Sequence, residues 1–370
     1  MKQHTSWVEV DKRAIKSNLT KIKDRFNKTK ILAVVKANAY GHGDVEVSHL
    51  LLQEGIDYLG VSLPVEALKL RKAGIAAPIL VMSPALEEDY IDLIKSNCTL
   101  TISNFSSVVK INEVAERLNK KVRVHVNVDT GMGRYGVKAK DFENVIQSVV
   151  NQSNLTLEGV YTHFPKAEDK VITKKQFSIF EDIMKTAQRF EASPIIFHCS
   201  NTTAAILYPE MKLNMTRLGS LIFGHCRVKN NLELEKTWKL KSRIINVLNI
   251  NKGESVGYGC EFIANKAMKV AIIPLGFHDG IGMWPNHASK NKKSIIKNVI
   301  KESSKLIGSK RFADSAIINN KKAYYVGKVG MQHVALDITE HENVSIGDVV
   351  TLSILQTAVN RDIPVIYKEV

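Results

Sequence analysis

The apolar run Ala33-Val34-Val35 ends in Lys36 and is followed by a polar, glycine-containing stretch, residues 37–43. Burial disfavours the charged form of a lysine and lowers its pKa, which is the condition for a Schiff-base-forming amine. The same placement suits a lysine that snorkels to water or meets a carboxylate, and the residue alone leaves both readings open. Arg134 closes the loop Asp129-Thr130-Gly131-Met132-Gly133, His163 lies in Tyr161-Thr162-His163-Phe164, Arg217 precedes Leu218-Gly219, and Tyr258 stands between Gly257 and Gly259. Singly, an Arg-x-Gly reads as a turn with an ion pair, a strand histidine as a satisfied core group, and a Tyr-Gly pair as a turn. Jointly they supply an amine, a phenol, and cations able to lower a phenol pKa from near 10. Two such acid/base groups can move a proton between opposite faces of one carbon.

These side chains need a scaffold. Apolar runs of strand length occur at Ile31–Lys36, Tyr58–Ser62, Pro78–Ser83, Thr99–Ser103, Val122–Val128, Leu157–Phe164, Ile195–Ser200 and Met215–Gly224. Between them lie amphipathic stretches such as Val45–Gln53, Pro64–Lys72, Phe142–Gln152 and Lys175–Arg189, whose apolar residues recur at helical spacing. Eight βα units predict an α/β fold, a (β/α)8 TIM-type barrel, over a doubly wound sheet. In such a barrel a lysine at the C-terminal end of a strand points into the active-site mouth. Ser6–Val10 reads as a strand, with Asp11 as N-cap of a helix striped by Ile15, Leu19, Ile22 and Phe26.

From about residue 235 the pattern changes to strands and short turns: Leu240–Asn251, Met268–Pro274, Ala323–Val329, His333–Ile338 and Asp348–Leu352. The expected division is a barrel over residues 8–234, with residues 1–7 and 235–370 forming a mainly β domain. A Lys-, Asn- and Ser-rich stretch at about 289–322, with an amphipathic core at Ile295–Ile307, reads as an inserted surface element.

Composition narrows the function classes. A hydrophobic fraction of 44% in 370 residues is ordinary for a globular protein. The longest apolar runs, Lys269–Leu275 and Lys30–Val35, are too short to span a bilayer, so no membrane role is expected. The start of the chain lacks the apolar core of a signal peptide, and a cytoplasmic location is expected. The four cysteines form no CxxC pair and His and Cys do not cluster, so reduced thiols and no metal site are expected. The net charge of +15 is diffuse and comes mainly from lysine, without a helix-turn-helix, RNP or zinc-finger pattern. Nucleic acid is therefore not an expected partner.

The segment Ala33-Val34-Val35-Lys36-Ala37-Asn38-Ala39-Tyr40-Gly41-His42-Gly43 resembles the cofactor-lysine motif of the alanine racemase family, whose members use pyridoxal 5'-phosphate. The resemblance runs from about residue 6 to residue 367, outside the Lys-rich stretch, and implies an amino-acid racemase with alanine as substrate. It implies that Lys36 carries the cofactor and Tyr40 contacts its phosphate. Val128–Arg134 looks like the family's substrate-side loop, so Arg134 would hold the substrate carboxylate. His163 would lie beside the cofactor ring. His198–Ala204 is similar to the strand end that brings Asn201 and Thr202 to the cofactor. Thr216–Ser220 is similar to the turn whose arginine, here Arg217, meets the pyridine nitrogen while the backbone of Gly219 and Ser220 holds phosphate. Val256–Gly259 resembles the segment carrying the second base, here Tyr258, which implies a two-base mechanism with Lys36 on one face. Family members form head-to-tail homodimers in which each tyrosine serves the other subunit's lysine. An arginine cannot accept a proton, so an Arg217 partner would keep the ring nitrogen unprotonated and the electron sink weak.

Three departures bear on specificity. Asn127 stands where the family often has a carbamylated lysine that orients the arginine, so another group must balance Arg134. Arg361, in Asn360–Pro364, replaces the phosphate-contacting tyrosine of S-Y-R-V-P and would itself contact phosphate. Phe277 and Gln332 replace a tyrosine and an aspartate of the entryway, where Met331 and Gln332 would face substrate. These changes admit lysine, arginine or serine as alternative substrates. A barrel-type decarboxylase is the rival enzyme; Arg217 and Tyr258 argue against it. An inactive cofactor-binding protein is the non-enzymatic rival, against which stand Lys36, Arg134, Arg217 and Tyr258.

Overall fold

A computed structural model describes residues 4–190, 194–283 and 315–369. The chain divides into two units, Lys12–Thr237 and Met1–Asp11 with Trp238–Val370.

Among the described residues the first unit carries eight parallel barrel strands, Lys30–Val34, Tyr58–Val61, Ile79–Val81, Leu100–Ile102, Val122–Asp129, Leu155–Tyr161, Ile196–His198 and Met215–Leu218, and off this path a two-residue strand, Val137–Lys138, parallel to the fifth. The eighth pairs with the first, Met215 opposite Lys30. A parallel bridge from Leu80 to Thr99 joins the third to the fourth. Arg217 N–H donates to the Ser200 carbonyl (3.1 Å) and Asn214 N–H to that of Phe197 (3.2 Å), which ties the seventh to the eighth and closes the barrel. The expected α/β barrel is thus present. Each expected strand is there; all but the fifth, which runs one residue further to Asp129, are shorter than the apolar run that announced them.

The crossover helices form for local reasons. Lys12–Arg25 buries Ala14, Ile15, Asn18, Leu19 and Ile22, one face of a helix. Pro64–Lys72 begins with proline at its first turn. Phe105–Arg117 is capped by Asn104, which accepts from Ser107 N–H, and Lys170–Gln188 by Asp169, which accepts from Ile172 N–H.

The sixth strand is irregular. Val124 pairs with Leu157 but His125 pairs with Gly159, so Glu158 is an extra residue in a β-bulge. Bulges re-aim side chains, and here Glu158 and Gly159 both serve the barrel interior.

The second unit is built on a nine-stranded sheet, in the order Asn246–Ile250, Met268–Ile273, Val334–Asp337, Lys321–Val326, Ser315–Ile318, Val349–Leu352, Trp238–Arg243, Ser6–Asp11, Val365–Lys368. Only its last pair is parallel. Val256, Val270, Val326 and Ala335 form one of its cores. Three expectations are corrected. Residues 8–11 stay with this sheet because Val8, Glu9 and Val10 pair with Leu240, Lys239 and Trp238. Leu240–Asn251 is two strands, broken at Ile244 and Ile245. Of the Lys-rich stretch at 289–322, residues 289–314 lie outside the described residues, while Ser315–Ile318 is a sheet strand hairpinned to Lys321–Val326. There the alternation of apolar Ala316 and Ile318 with neighbours turned outward overrides the local lysine richness.

Candidate active site

Lys36 stands just beyond the first barrel strand, which ends at Val34. It opens a turn in which Ala37, Asn38, Ala39 and Tyr40 all have positive φ, at 52°, 57°, 49° and 56°. Left-handed backbone costs about 1–2 kcal/mol for each non-glycine residue and normally occurs singly, so surrounding bonds must hold this one. Glu66 does much of that: Oε1 accepts from Ala37 N–H at 2.7 Å, and Oε2 from Ser62 and Leu63 N–H at 2.9 and 3.0 Å. Asn38 Oδ1 accepts from Asp44 N–H at 3.1 Å. The buried His42 ring stacks on Phe223 at 4.2 Å and bonds the Ala39 carbonyl at 2.9 Å. Burial, Arg134 and Arg217 lower the Lys36 pKa, with Glu66 opposing them.

Tyr40 ends the turn with its hydroxyl against the backbone of Gly219. A β-carbon on residue 219 would lie 2.4 Å from that oxygen, so glycine is required for the approach. Burial pushes the Tyr40 phenol up to about 12 and keeps its proton on the oxygen. Thr202 opens the short helix Thr202–Leu207 at the end of the seventh strand. The Asn201 amide is committed to backbone: Oδ1 accepts from Ala204 N–H (3.0 Å) and Nδ2 donates to the Phe164 carbonyl (3.0 Å).

Arg217, on the eighth strand, is buried. Nη1 donates to His198 Nδ1 (2.9 Å) and the His198 carbonyl (3.0 Å). Nη2 reaches the Thr162 carbonyl (2.7 Å), the Cys199 carbonyl (3.0 Å) and His163 Nδ1 (3.2 Å). None of these bonds uses Nε–H. Burial, then Arg217, Arg134 and Lys36, push His163 down to about 3, so its imidazole is neutral. With Nδ1 accepting from arginine, its proton sits on Nε2.

Arg134 rides on a loop tied by Asp129, whose Oδ1 accepts from the N–H groups of Gly131, Met132 and Gly133 at 3.0, 2.9 and 3.1 Å. Burial raises the Asp129 carboxyl, but Lys138 and those amides outweigh it and bring it down to about 2. The Arg134 guanidinium lies over the Tyr135 ring (4.3 Å) and donates to its hydroxyl at 2.7 Å. Arg134 is thus oriented by Tyr135. The sequence reading did not find it, and no spacing signal marks it.

The barrel therefore gathers Lys36, Tyr40, Arg134, His163, Thr202, Arg217, Gly219 and Ser220 at the C-terminal ends of its strands. Lys36, Arg134, His163 and Arg217 perturb one another's charge. Tyr258, Met331, Gln332 and Arg361 belong to the β unit and are exposed there, Tyr258 to 81%. In that unit Phe277 and His278 N–H donate to the Gly330 and Met331 carbonyls at 3.0 and 3.1 Å, and Asn360 Nδ2 lies 3.2 Å from His278 Nδ1. Among the described residues no cluster of His, Cys, Asp and Glu could hold a metal ion, and no helix is long and apolar enough to cross a membrane.

The donor set fits pyridoxal phosphate. An amine with a lowered pKa suits an aldehyde, and a phenol O–H packed on bare backbone beside Ser220 suits a phosphate. Among the described residues none bonds the Arg217 Nε–H, which suits a ring nitrogen.

The family description "Alanine racemase, N-terminal domain" matches residues 10–227, and "Alanine racemase, C-terminal domain" matches residues 237–365. The alanine racemase of Methanococcus maripaludis is 34% identical over 360 residues, covering 95% of this chain and 90% of that protein. The alanine racemase of Halalkalibacterium halodurans is 34% identical over 361 residues, covering 94% and 85%. Among solved structures, alanine racemase from Clostridium difficile 630 superposes with TM-score 0.87 at 28% identity, covering 100% of this chain and 97% of that one. The Bacillus anthracis enzyme with bound L-Ala-P superposes with TM-score 0.84 at 25% identity, covering 99% and 96%.

Proposed function

The chain belongs to the alanine racemase family, and from that premise we propose that it interconverts L- and D-alanine with pyridoxal 5'-phosphate held on Lys36. The observation that carries this reading is the shared electrostatics of Lys36, Arg134, His163 and Arg217, which leaves an amine with a lowered pKa beside two arginines and a neutral histidine.

The chemistry that pyridoxal phosphate would supply when bound is an electron sink. Lys36 Nζ would hold the cofactor, and its amine can take or return the Cα proton on one face. Tyr258 of a second copy does the same on the other face, in a head-to-tail homodimer. Its exposure on its own unit is what a residue serving another chain requires. Arg217 would offer Nε–H to the ring nitrogen and, being unable to accept a proton, would leave that nitrogen unprotonated. His163, neutral with its proton on Nε2, would serve as a donor beside the ring. Tyr40, Thr202 and the backbone of Gly219 and Ser220 would bind phosphate; Asn201 acts by capping the helix that begins at Thr202. Arg134, steadied by Tyr135, would hold the substrate carboxylate.

The test is chiral chromatography of the products when the cofactor-loaded protein meets each common L-amino acid. D-Alanine is expected to form fastest, and Lys36→Ala and Tyr258→Phe are each expected to lose at least about a hundredfold in kcat, as loss of a general acid/base group does. Faster turnover of another amino acid would keep the mechanism and move the specificity to Arg361, Phe277 and Gln332. Absence of any enantiomer, with cofactor bound through Lys36, overturns the reading.

A further inference from the structure

A row of buried polar groups continues from Arg217 into the barrel. His198 Nε2 lies 2.9 Å from His125 Nδ1, and His125 Nε2 lies 3.1 Å from Glu158 Oε2. Tyr58 donates its hydroxyl proton to the same carboxylate oxygen at 2.7 Å, and Arg123 Nε stands 3.6 Å from Glu158 Oε1. Both imidazoles are fully buried. The roles along the row follow from counting hydrogens. Arginine only donates, so His198 Nδ1 accepts. A neutral imidazole has one donor and one acceptor, so His198 Nε2–H donates to His125 Nδ1. His125 Nε2–H then donates to the Glu158 carboxylate. Starting from the carboxylate, which only accepts, gives the same tautomers. A second proton on either ring would set N–H against N–H across 2.9 Å. Burial holds both histidines below the usual imidazole range. Burial raises the Glu158 carboxyl, but the bonds from His125 and Tyr58 outweigh it and leave it below the ordinary value.

Two features of the sixth strand exist for this row. The bulge turns Glu158 inward, and Gly159 leaves space for the His125 ring, where a β-carbon would come within 2.5 Å of Nδ1 and Cε1.

We propose that Glu158 is a positioning residue for Arg217: through His125 and His198 it fixes one donor-to-acceptor direction from the ring-facing guanidinium to the far end of the barrel. The inference rests on reading Arg217 as the partner of the cofactor ring. Aligned bonds in a low-dielectric interior reinforce one another, so the carboxylate at one end stiffens the Arg217–His198 bond at the other. Glu158 touches neither substrate nor cofactor in this scheme, and its loss acts on kcat, not on KM.

The test begins with nitrogen NMR of the cofactor-loaded protein carrying 15N-labelled histidine. Expected are a bare Nδ1 and a protonated Nε2 for both His125 and His198. The opposite tautomer, or a cation at either ring, overturns the proposal whatever the activity. Kinetics then separates positioning from packing. Glu158→Gln keeps an acceptor oxygen and is expected to hold kcat within about threefold with both tautomers intact. Glu158→Met removes the acceptor and is expected to lower kcat about tenfold with KM unchanged and the His198 resonances shifted, the scale of one charge-assisted hydrogen bond. Equal kcat in the Met variant and the wild type, or a KM that rises in step with the loss, overturns it. If the tautomers are as stated but no amino acid is racemised, the racemase reading fails and the row stands. A wrong tautomer in an active racemase removes the row alone.

Discussion

Along the first, second, third and eighth strands the barrel interior is filled by Leu32, Val34, Tyr58, Leu80 and Met215. Along the fourth to seventh it is filled by Thr101, His125, Glu158, Tyr161 and His198, with Arg217 closing the ring from the eighth. Tyr58 belongs to both halves, its ring among the aliphatic groups and its hydroxyl on Glu158. On the apolar side each residue contributes by volume, and a neighbour of similar size can replace it. On the polar side each residue contributes by the number and direction of its protons, and removing one leaves the next unpaired. Lys36 emerges from the first strand on the apolar side, which desolvates its amine, while the polar side supplies the fixed charges that act on it.

The largest break in that contrast is expected from Arg217→Leu. It would strand His198 Nδ1, His163 Nδ1 and the Thr162 and Cys199 carbonyls without the Arg217 donor, costing about 3–5 kcal/mol on the scale of a buried charge network that loses one member. Denaturant unfolding reads this directly, and a loss under about 1 kcal/mol would mean the polar half is not interlocked. Next comes Gly159→Ala, a single added methyl group. Its clash with the His125 ring should cost about 2 kcal/mol, within the usual range for overpacking, and should displace His125 in a crystal structure of the variant. An unmoved ring at full stability would show that the sixth strand has slack.

Acid should then separate the halves. His163 is pushed down to about 3 in the fold against about 6.5 in an unfolded chain. Between those values the unfolded state binds the proton that the native state refuses, so stability is lost as pH falls below about 6.5. The slope is at most about 1.4 kcal/mol per pH unit for each such histidine. Unfolding curves at pH 7.5, 6 and 5 should show this, and His163→Gln should be flatter by about one histidine's share; parallel curves would refute the assignment. The smallest effect belongs to the apolar half. Leu80→Met conserves volume and should cost about 1 kcal/mol or less, with kcat unchanged.

Much of the scaffold was legible because apolar runs and amphipathic spacing report burial directly. The eight barrel strands appear in the expected order, as does the change to β structure after Thr237. Lys36, Arg134, His163 and Arg217 were legible because the motifs around them are long. The turn at residues 37–40 was not, since no local preference puts Ala, Asn, Ala and Tyr in left-handed backbone; the bonds from Glu66, distant in sequence, hold it there. The row from Arg217 to Glu158 was hidden for another reason. His125 sits in Val122-Arg123-Val124-His125-Val126-Asn127-Val128, where polar residues at alternate positions read as an outward face. In a closed barrel that face is the interior. Tyr135 gave no signal because its role rests on a contact with its own neighbour.

The bulge in the sixth strand has one more consequence. Side chains on a strand alternate in and out, so position carries a parity, and Glu158 is where the parity changes. Glu158, Gly159 and Tyr161 all serve the interior, although no unbroken alternation could place the first with the other two. A chain shortened by one residue at this point would regain perfect alternation only by losing the Glu158 carboxylate or the space that Gly159 leaves for the His125 ring. The strand can therefore accept changes of side chain at many points while accepting no change of length. For this segment, the register of an insertion or deletion matters more than the chemistry of what is inserted.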